Sequence, residues 1–368
     1  MTFTPDNPRR KAFIAMSGGV DSSVAAYLAI ESGLDCIGVT MKLFNNEDAG
    51  VSREKSCCSL EDTEYARGVA YRLGMPYYVF NFTADFKEQV MRRFVEAYER
   101  GATPNPCIDC NRYLKFDRLY RRAKELGCEY VVTGHYARIE EENGRFLLKK
   151  AVDPTKDQSY VLYSMTQDEL RHTLFPLGGM TKMHTRELAR KLGFYNADKP
   201  DSQDICFVPD GDYAAAIERL TGKAAPCGDF VDPAGHVLGR HRGMIRYTIG
   251  QHRGLGLDLP VKRYVCAICP ADNTVMLSDS AALYRRAAFV EDVNWISGQT
   301  PAEPVRCRVK IRYRQPEQDA VVTPLAGGWA KLVFDTPQRA ITPGQAAVFY
   351  DGDLVLGGGV LTAQEETA

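Results

Sequence analysis

The sequence predicts an α/β protein: a doubly wound parallel sheet, then a small central mixed module, then a C-terminal antiparallel β-barrel. Three observations carry this reading. Between Lys11 and about Ala137, short apolar runs alternate with helix-length amphipathic runs, the pattern of parallel strands joined by crossover helices. After Pro200, glycine and proline punctuate short segments as far as Pro260. From about Tyr264, short strand-like runs recur with turn residues between them, as in a barrel or sandwich.

Each element follows from its residues. Positions 12–16 are an apolar run of strand length, 22–32 a helix, and 35–41 the next strand. A helix over 60–73 ends at Gly74, and 77–79 is a strand. Positions 85–100 form a long amphipathic helix, 116–126 another, and 130–133 a strand. A short helix over 210–220 opens the second part. Strands are expected at 264–268, 274–277, 288–293, 305–314, 320–323, 329–334 and 346–350. Positions 45–55 are polar and aperiodic and are expected to form the most mobile loop.

A chain of 368 residues is long enough for two or three domains. Its 45% hydrophobic and 25% charged residues are those of a soluble globular protein. No run approaches the roughly 18 continuous apolar residues of a membrane helix, and the first residues lack a signal-peptide core. A cytoplasmic protein with no membrane partner is expected. The net charge of −1 is compatible with a polyanionic partner, because a local basic patch suffices for phosphate contacts. Eleven cysteines in such a chain point to metal, redox or sulfur chemistry more than to structural disulfides.

After the first strand the chain reads Ser17-Gly18-Gly19-Val20-Asp21-Ser22-Ser23 and enters a helix. A glycine loop of this kind aims backbone N–H groups at an anion, and the helix N-terminus adds partial positive charge. Gly18 and Gly19 permit close approach, while Ser17, Ser22 and Ser23 supply hydroxyl donors. No Gly-Lys-Ser/Thr follows, so this is not a Walker loop. It resembles the PP-loop of ATP pyrophosphatases, which implies ATP binding and cleavage to AMP and pyrophosphate. The loop and Thr133-Gly134-His135-Tyr136 both fall at the C-terminal ends of expected strands, where ligands of such sheets bind.

Two cysteine motifs are candidates for chemistry. Cys107 and Cys110 form a Cys-x-x-Cys bounded by Pro104, Pro106 and a basic helix. If Cys110 or Asn111 opens that helix, its dipole with Arg112 and Lys115 favours thiolate. Cys206, in Asp201-Ser202-Gln203-Asp204-Ile205-Cys206-Phe207, lies where the first domain is expected to end. Cys266 and Cys269 lie on a strand-like run and are expected on opposite faces, while Cys36, Cys128, Cys227 and Cys307 read as packing residues. The adjacent pair Cys57-Cys58 fits either a reactive site or a loop. Three cysteines from separate motifs fit a persulfide relay, or an iron–sulfur site with Cys107, Cys110 and Cys206 as ligands.

Positions 305–314 alternate so that Arg306, Arg308, Lys310, Arg312 and Arg314 share one strand face. Such a face is either solvated to discourage edge pairing or a track for a phosphate backbone. The helix after the cysteine pair adds a second basic surface. Together they place a polyanion such as RNA beside reactive sulfur.

These motifs, in order, resemble those of the tRNA-specific 2-thiouridylases, which thiolate the wobble uridine. The resemblance runs through 16–24, 103–116, 133–138, 156–160, 174–178, 201–207, 247–256, 311–315 and 341–350. It implies an ATP-binding catalytic domain over 1–208, a small central tRNA-contacting domain over 209–280 and a tRNA-binding β-barrel over 281–368. It also implies ATP contacts at Ala15, Met16, Ser17, Gly18, Gly19, Val20, Asp21, Ser22, Met41 and Gly134, with Mg2+ accompanying the nucleotide. Contacts to tRNA are implied at Asn105, Pro106, Cys107, His135, Lys156, Asp157, Gln158, Arg312, Tyr313 and Gln345.

In the implied reaction, uracil O2 is adenylated, a persulfide on Cys206 delivers sulfur to C2, and Cys110 releases it by forming a disulfide with Cys206. The sulfur comes from a desulfurase or relay protein. Some members carry Asp, a proposed general base, where this chain has Cys107. That departure raises the alternative in which Cys107, Cys110 and Cys206 hold an iron–sulfur cluster. Two rival readings are a PP-loop enzyme acting on a small molecule and a non-catalytic RNA-binding iron–sulfur protein. The first leaves the cysteines and basic strand unexplained, and the second leaves the full nucleotide loop unexplained. Nothing in the sequence sets an oligomeric state.

Overall fold

Seven strands are found in the first part of the chain: β1 (Lys11–Ala15), β2 (Asp35–Lys42), β3 (Tyr77–Asn81), β4 (Tyr130–Val132), β5 (Ala137–Glu142), β6 (Arg145–Lys150) and β7 (Thr173–Leu174). Five of them form a parallel sheet in the order β3-β2-β1-β4-β7. The computed structural model describes residues 10–45, 50, 60–201 and 205–363. The expected loop over 45–55, apart from Asn45 and Gly50, lies outside the described residues, as do Cys57, Cys58 and Ser202, Gln203 and Asp204. Among the described residues no helix is long and apolar enough to cross a membrane.

Alternation along β1 explains the two helix layers. Phe13 points to one side and packs with Val39, Phe86, Phe94 and Val131. Ala12 and Ile14 point to the other and pack with Val24, Ala25, Val69 and Val132. A central strand covered on both faces must be apolar throughout, which is why 12–16 reads as an unbroken hydrophobic run. Strand order reverses between β1 and β4, so a crevice opens beyond their C-terminal ends. The Ser17–Ser22 loop and Gly134 flank that crevice.

The central module is a four-stranded sheet, β10-β11-β8-β9, built from β8 (Gly228–Val231), β9 (Val237–His241), β10 (Tyr264–Cys269) and β11 (Thr274–Ser278). Six strands follow: β12 (Tyr284–Trp295), β13 (Val305–Lys310), β14 (Gln318–Pro324), β15 (Ala330–Arg339), β16 (Ala346–Asp351) and β17 (Leu354–Thr362). They run β12-β15-β14-β13-β16-β17, and pairing of β12 with β17 closes the antiparallel barrel.

The structure departs from the sequence reading in several places. The β5–β6 hairpin, too charged to read as strands, joins the barrel sheet through Leu354 opposite Lys149. The basic run over 305–314 is not one strand, because β13 stops at Lys310. On it, Arg306 pairs with Asp335 and Arg308 approaches Asp319, so neighbouring carboxylates offset the like charges. Cys227 is exposed rather than packed. A register shift between Val265 and Ala267 makes Cys266 the extra residue of a bulge, so simple alternation with Cys269 does not apply.

The helix expected over 116–126 begins ten residues earlier. Asn105 caps it, its side chain accepting from the Cys107 N–H at 3.2 Å, and Pro106 occupies the first turn. The chain stays helical through Pro106–Asp109, a π segment Cys110–Arg118 and Leu119–Glu125. Neither Cys110 nor Asn111 opens the helix; Cys107 sits in its first turn and Cys110 begins the π segment. Such wide turns recur at functional sites.

Candidate active site

The nucleotide loop is held by its own hydroxyls. The Ser17 N–H donates to Ser22 Oγ at 3.2 Å, and the Ser22 and Ser23 hydroxyls both donate to the Gly19 carbonyl at 3.0 Å. Buried Asn196 donates from Nδ2 to the Gly18 carbonyl and to Ser23 Oγ, each at 2.9 Å. Gly18 has φ +75°, and a Cβ there would lie 2.3 Å from the Asp62 carbonyl oxygen. A Cβ on Gly134 would lie 2.8 Å from Ser22 N. Both glycines are therefore required by close approach. The first turn of the helix Val20–Glu31 leaves its N–H groups without intrahelical acceptors, and with the Ser17 hydroxyl they suit a triphosphate.

Beside the loop lies a charge network that local sequence did not reveal. Lys182 Nζ donates to both Asp21 carboxylate oxygens at 2.7 Å and lies 2.8 Å from Asp201. Asp201 also pairs with Lys156 and Arg186, each at 2.8 Å. Burial works against its charge, but Lys156 and Lys182 outweigh this and hold its carboxyl down at about 2. The Tyr136 hydroxyl donates to Asp21 at 2.9 Å. Lys182 opens the helix Lys182–Lys191, outside the motifs quoted from the sequence and 161 positions from Asp21, so only folding brings the two together.

A second cavity, about 330 Å³, is lined by Asn105, Pro106, Cys107, Gln158, Tyr313 and Gln345, together with Ile205 and Arg314. All six of the first set were predicted as tRNA contacts. Cys107 is exposed, whereas Cys110 and Cys206 are half-buried and pack against the same hydrophobic cluster. Among the described residues no group of three or more His, Cys, Asp or Glu side chains is arranged to hold a metal ion. Asp109 is about 200° around the helix from Cys107, and faces Arg93 at 3.5 Å. Burial raises its carboxyl to about 6 against the opposing pull of Arg93 and Arg112, but on that face it does not serve Cys107 as a base.

The cleft and the nucleotide loop are joined by Tyr136, whose N–H donates to Gln158 while its hydroxyl donates to Asp21. All three parts of the chain meet behind the cysteine pair. The Thr103 N–H donates to the Pro343 carbonyl at 2.8 Å, Gln345 donates to the Thr103 carbonyl, and Thr103 Oγ1 lies 3.4 Å from Thr248.

Residues 10–210 match the family described as the tRNA methyl transferase HUP domain. Residues 216–279 match the tRNA methyl transferase PRC-barrel domain, and 285–361 the aminomethyltransferase beta-barrel domain. The chain is 49% identical over 354 residues to the tRNA-specific 2-thiouridylase MnmA of Clostridioides difficile, covering 96% of this chain and 98% of that protein. It is 48% identical over 356 residues to its namesake in Acetivibrio thermocellus, covering 96% and 99%. The chain belongs to the tRNA-specific 2-thiouridylase family.

The remaining residues implied by the thiouridylase resemblance are placed less openly. His135 is buried against Phe116 and Phe175, with Thr133 Oγ1 at 2.7 Å from Nδ1 and Lys115 Nζ at 3.5 Å from Nε2. Burial, reinforced by the Lys115 charge, keeps its pKa well below the usual histidine value, so it is neutral. Asp157 shapes a turn, accepting from the N–H groups of Ala151 and Ser159. Met41 is buried at the end of β2. Arg312 points inward, donating to the carbonyls of Ile249 and Ala340 and to Thr342.

Proposed function

We propose that this enzyme catalyses ATP-dependent 2-thiolation of the wobble uridine of tRNA. One observation carries the reading: six residues implied to contact tRNA line a single cleft, which Tyr136 couples to the nucleotide loop. Displacing a carbonyl oxygen otherwise means expelling oxide or hydroxide, so activation by ATP suits the chemistry. Uracil O2 attacks the α-phosphorus of ATP, with Mg2+ accompanying the nucleotide, and pyrophosphate leaves. The terminal sulfur of a Cys206 persulfide attacks C2, and AMP departs with the original oxygen. The Cys110 thiolate then attacks Cys206 Sγ, which frees the 2-thiouridine sulfur and leaves a Cys110–Cys206 disulfide for an external thiol to reduce.

The shared packing of Cys110 and Cys206 supports this pairing, as does the position of Ile205 in the wall of the cleft. The persulfide is charged by a cysteine desulfurase or relay protein. The test is a tRNA thiolation assay with parallel pyrophosphate measurement on wild type and Cys206→Ser. Thiolation is expected to vanish in the variant while ATP binding is retained. Pyrophosphate release that ignores tRNA would sink the reading in favour of a small-molecule enzyme, and its complete absence would favour a binding protein. Activity tracking iron and sulfide content in anaerobic preparations would replace the relay with a cluster on Cys107, Cys110 and Cys206.

A further inference from the structure

The helix that carries the cysteine pair has basic side chains at Arg112, Lys115, Arg118, Arg121 and Arg122. The arginines are all neutralised within the chain, by Asp292, Asp85, Asp117 and Glu125 in that order. Lys115 is the exception. Its side chain is half-buried, and among the described residues no carboxylate lies within ion-pair distance of its ammonium. Its neighbour is a neutral base instead, with Nζ 3.5 Å from His135 Nε2. An ammonium only donates, so Nε2 accepts, and the imidazole proton sits on Nδ1, where Thr133 Oγ1 takes it at 2.7 Å. Burial, reinforced by the Lys115 charge, keeps His135 neutral. The imidazole therefore orients the ammonium without cancelling its charge, and two of its three N–H groups remain for another acceptor.

Two elements set where that charge stands. The π segment Cys110–Arg118 has hydrogen bonds that span five residues, so Lys115 lies roughly one turn from Cys110 on the same side. In an α-helix the same five residues would turn it about 140° away. From the other direction, His135 follows Gly134, whose Cβ would lie 2.8 Å from Ser22 N of the nucleotide loop. It precedes Tyr136, which ties the loop to the cleft. The ammonium thus stands between the cysteine helix and the nucleotide crevice. Charges withdrawn from water are ordinarily paired, and this one is left for an anion that arrives with the substrates. The anion brought to the junction of nucleotide and base is the α-phosphate of ATP.

We propose that Lys115 is a catalytic residue of adenylation, its ammonium holding the non-bridging oxygens of the α-phosphate as negative charge builds on them. The inference rests on the thiolation reading above. In this step uracil O2 bonds to the α-phosphorus, and the bond from phosphorus to the bridging oxygen breaks. Pyrophosphate leaves with that electron pair, and the N3 proton passes to water. Lys115 keeps its own protons throughout. A preorganised charge aimed at a transition state in this way is worth about a hundred- to thousand-fold in rate.

The test is single-turnover pyrophosphate release with saturating ATP and a tRNA carrying a wobble uridine, without a sulfur donor, so that adenylation is read alone. Lys115→Met is expected to slow release by about a hundred- to thousand-fold, with ATP and tRNA affinities within about ten-fold of wild type. Lys115→Arg, which restores the charge, is expected to recover at least about ten-fold of that loss. ATPαS, with sulfur in place of a non-bridging α-oxygen, is expected to slow wild type more than Lys115→Met, a difference that a purely structural lysine would not produce. Thermal denaturation checks folding, and Lys115→Gln replaces Lys115→Met if the latter melts early. An unchanged rate in the charge-removing variant overturns the proposal. So does a loss that saturating tRNA cures, which would assign Lys115 to the RNA backbone. Intact pyrophosphate release with failed thiolation once a persulfide donor is added would also overturn it, assigning Lys115 to Cys110. Wild type that releases no pyrophosphate with this tRNA would instead overturn the thiolation reading.

Discussion

Replacing Lys182 with methionine isolates the ionic tie between the nucleotide loop and the segment leading to Cys206. The ammonium is almost buried, with 11% of the side chain exposed, and it serves Asp21 and Asp201 together. Methionine keeps most of the volume, so the loss is electrostatic. Asp201 retains Lys156 and Arg186, whereas Asp21 keeps the Tyr136 hydroxyl. Stranding a fully buried carboxylate costs about 3–5 kcal/mol. Asp21 is 32% exposed, and solvent moderates this to about 2–3 kcal/mol.

The pH dependence supplies a second readout. The folded Asp201 carboxyl titrates at about 2 rather than 3.8, so its stabilisation is complete above the unfolded value and is lost as pH falls through about 2. That shift corresponds to about 1–2 kcal/mol after allowing for solvent screening. Urea denaturation of Lys182→Met at pH 7 is expected to show the larger loss, and its acid sensitivity to be shallower than that of wild type. ATP affinity, measured by calorimetry, falls as well. Adding Asp21→Asn removes the stranded charge and is expected to recover about half of the lost stability, because the two sites couple. A loss below about 0.5 kcal/mol, with ATP affinity unchanged, would refute the network as a tie and reduce it to solvated surface pairing.

Two further outcomes follow from the same geometry. Gly18→Ala sets a Cβ 2.3 Å from the Asp62 carbonyl oxygen at φ +75° and is expected to cost about 2–3 kcal/mol and most ATP binding, read by thermal denaturation and nucleotide titration; Gly19→Ala, whose Cβ would meet Ser17 Oγ only at 3.4 Å, is the comparison for stability alone and is expected to cost less in thermal denaturation. Arg314→Ala removes a cleft-lining guanidinium and is expected to reduce the salt slope of RNA binding by about one. Arg312→Leu is expected to cost about 1–3 kcal/mol of stability with the slope unchanged, because its guanidinium bonds within the protein.

The parallel sheet, the nucleotide loop and the barrel were legible because each is written in local pattern. An apolar run on β1, two glycines before a helix and alternating strands after Tyr264 need no distant partner to be read. The helix start at Pro106 was missed although its signal is local: Asn105 before Pro106 is a cap followed by a first-turn proline. The basic run over 305–314 misled for the opposite reason. Its alternation is real, but the turn after Lys310 sends Arg312 inward to Ile249 and Ala340, a choice made by the packing of the barrel on the central module.

Sequence alone supplied the candidate parts of the site: a glycine-rich nucleotide loop, the cysteines proposed to carry sulfur and the polar residues proposed to contact RNA. Tertiary structure decided how they are used. Lys182 reaches Asp21 across 161 positions, Gln345 reaches Thr103 across 242, and Tyr136 links the cleft to the loop. These contacts set charge, amide orientation and distance at the site. No local periodicity encodes them, because they depend on where separate elements meet once the cores of sheet and barrel have packed.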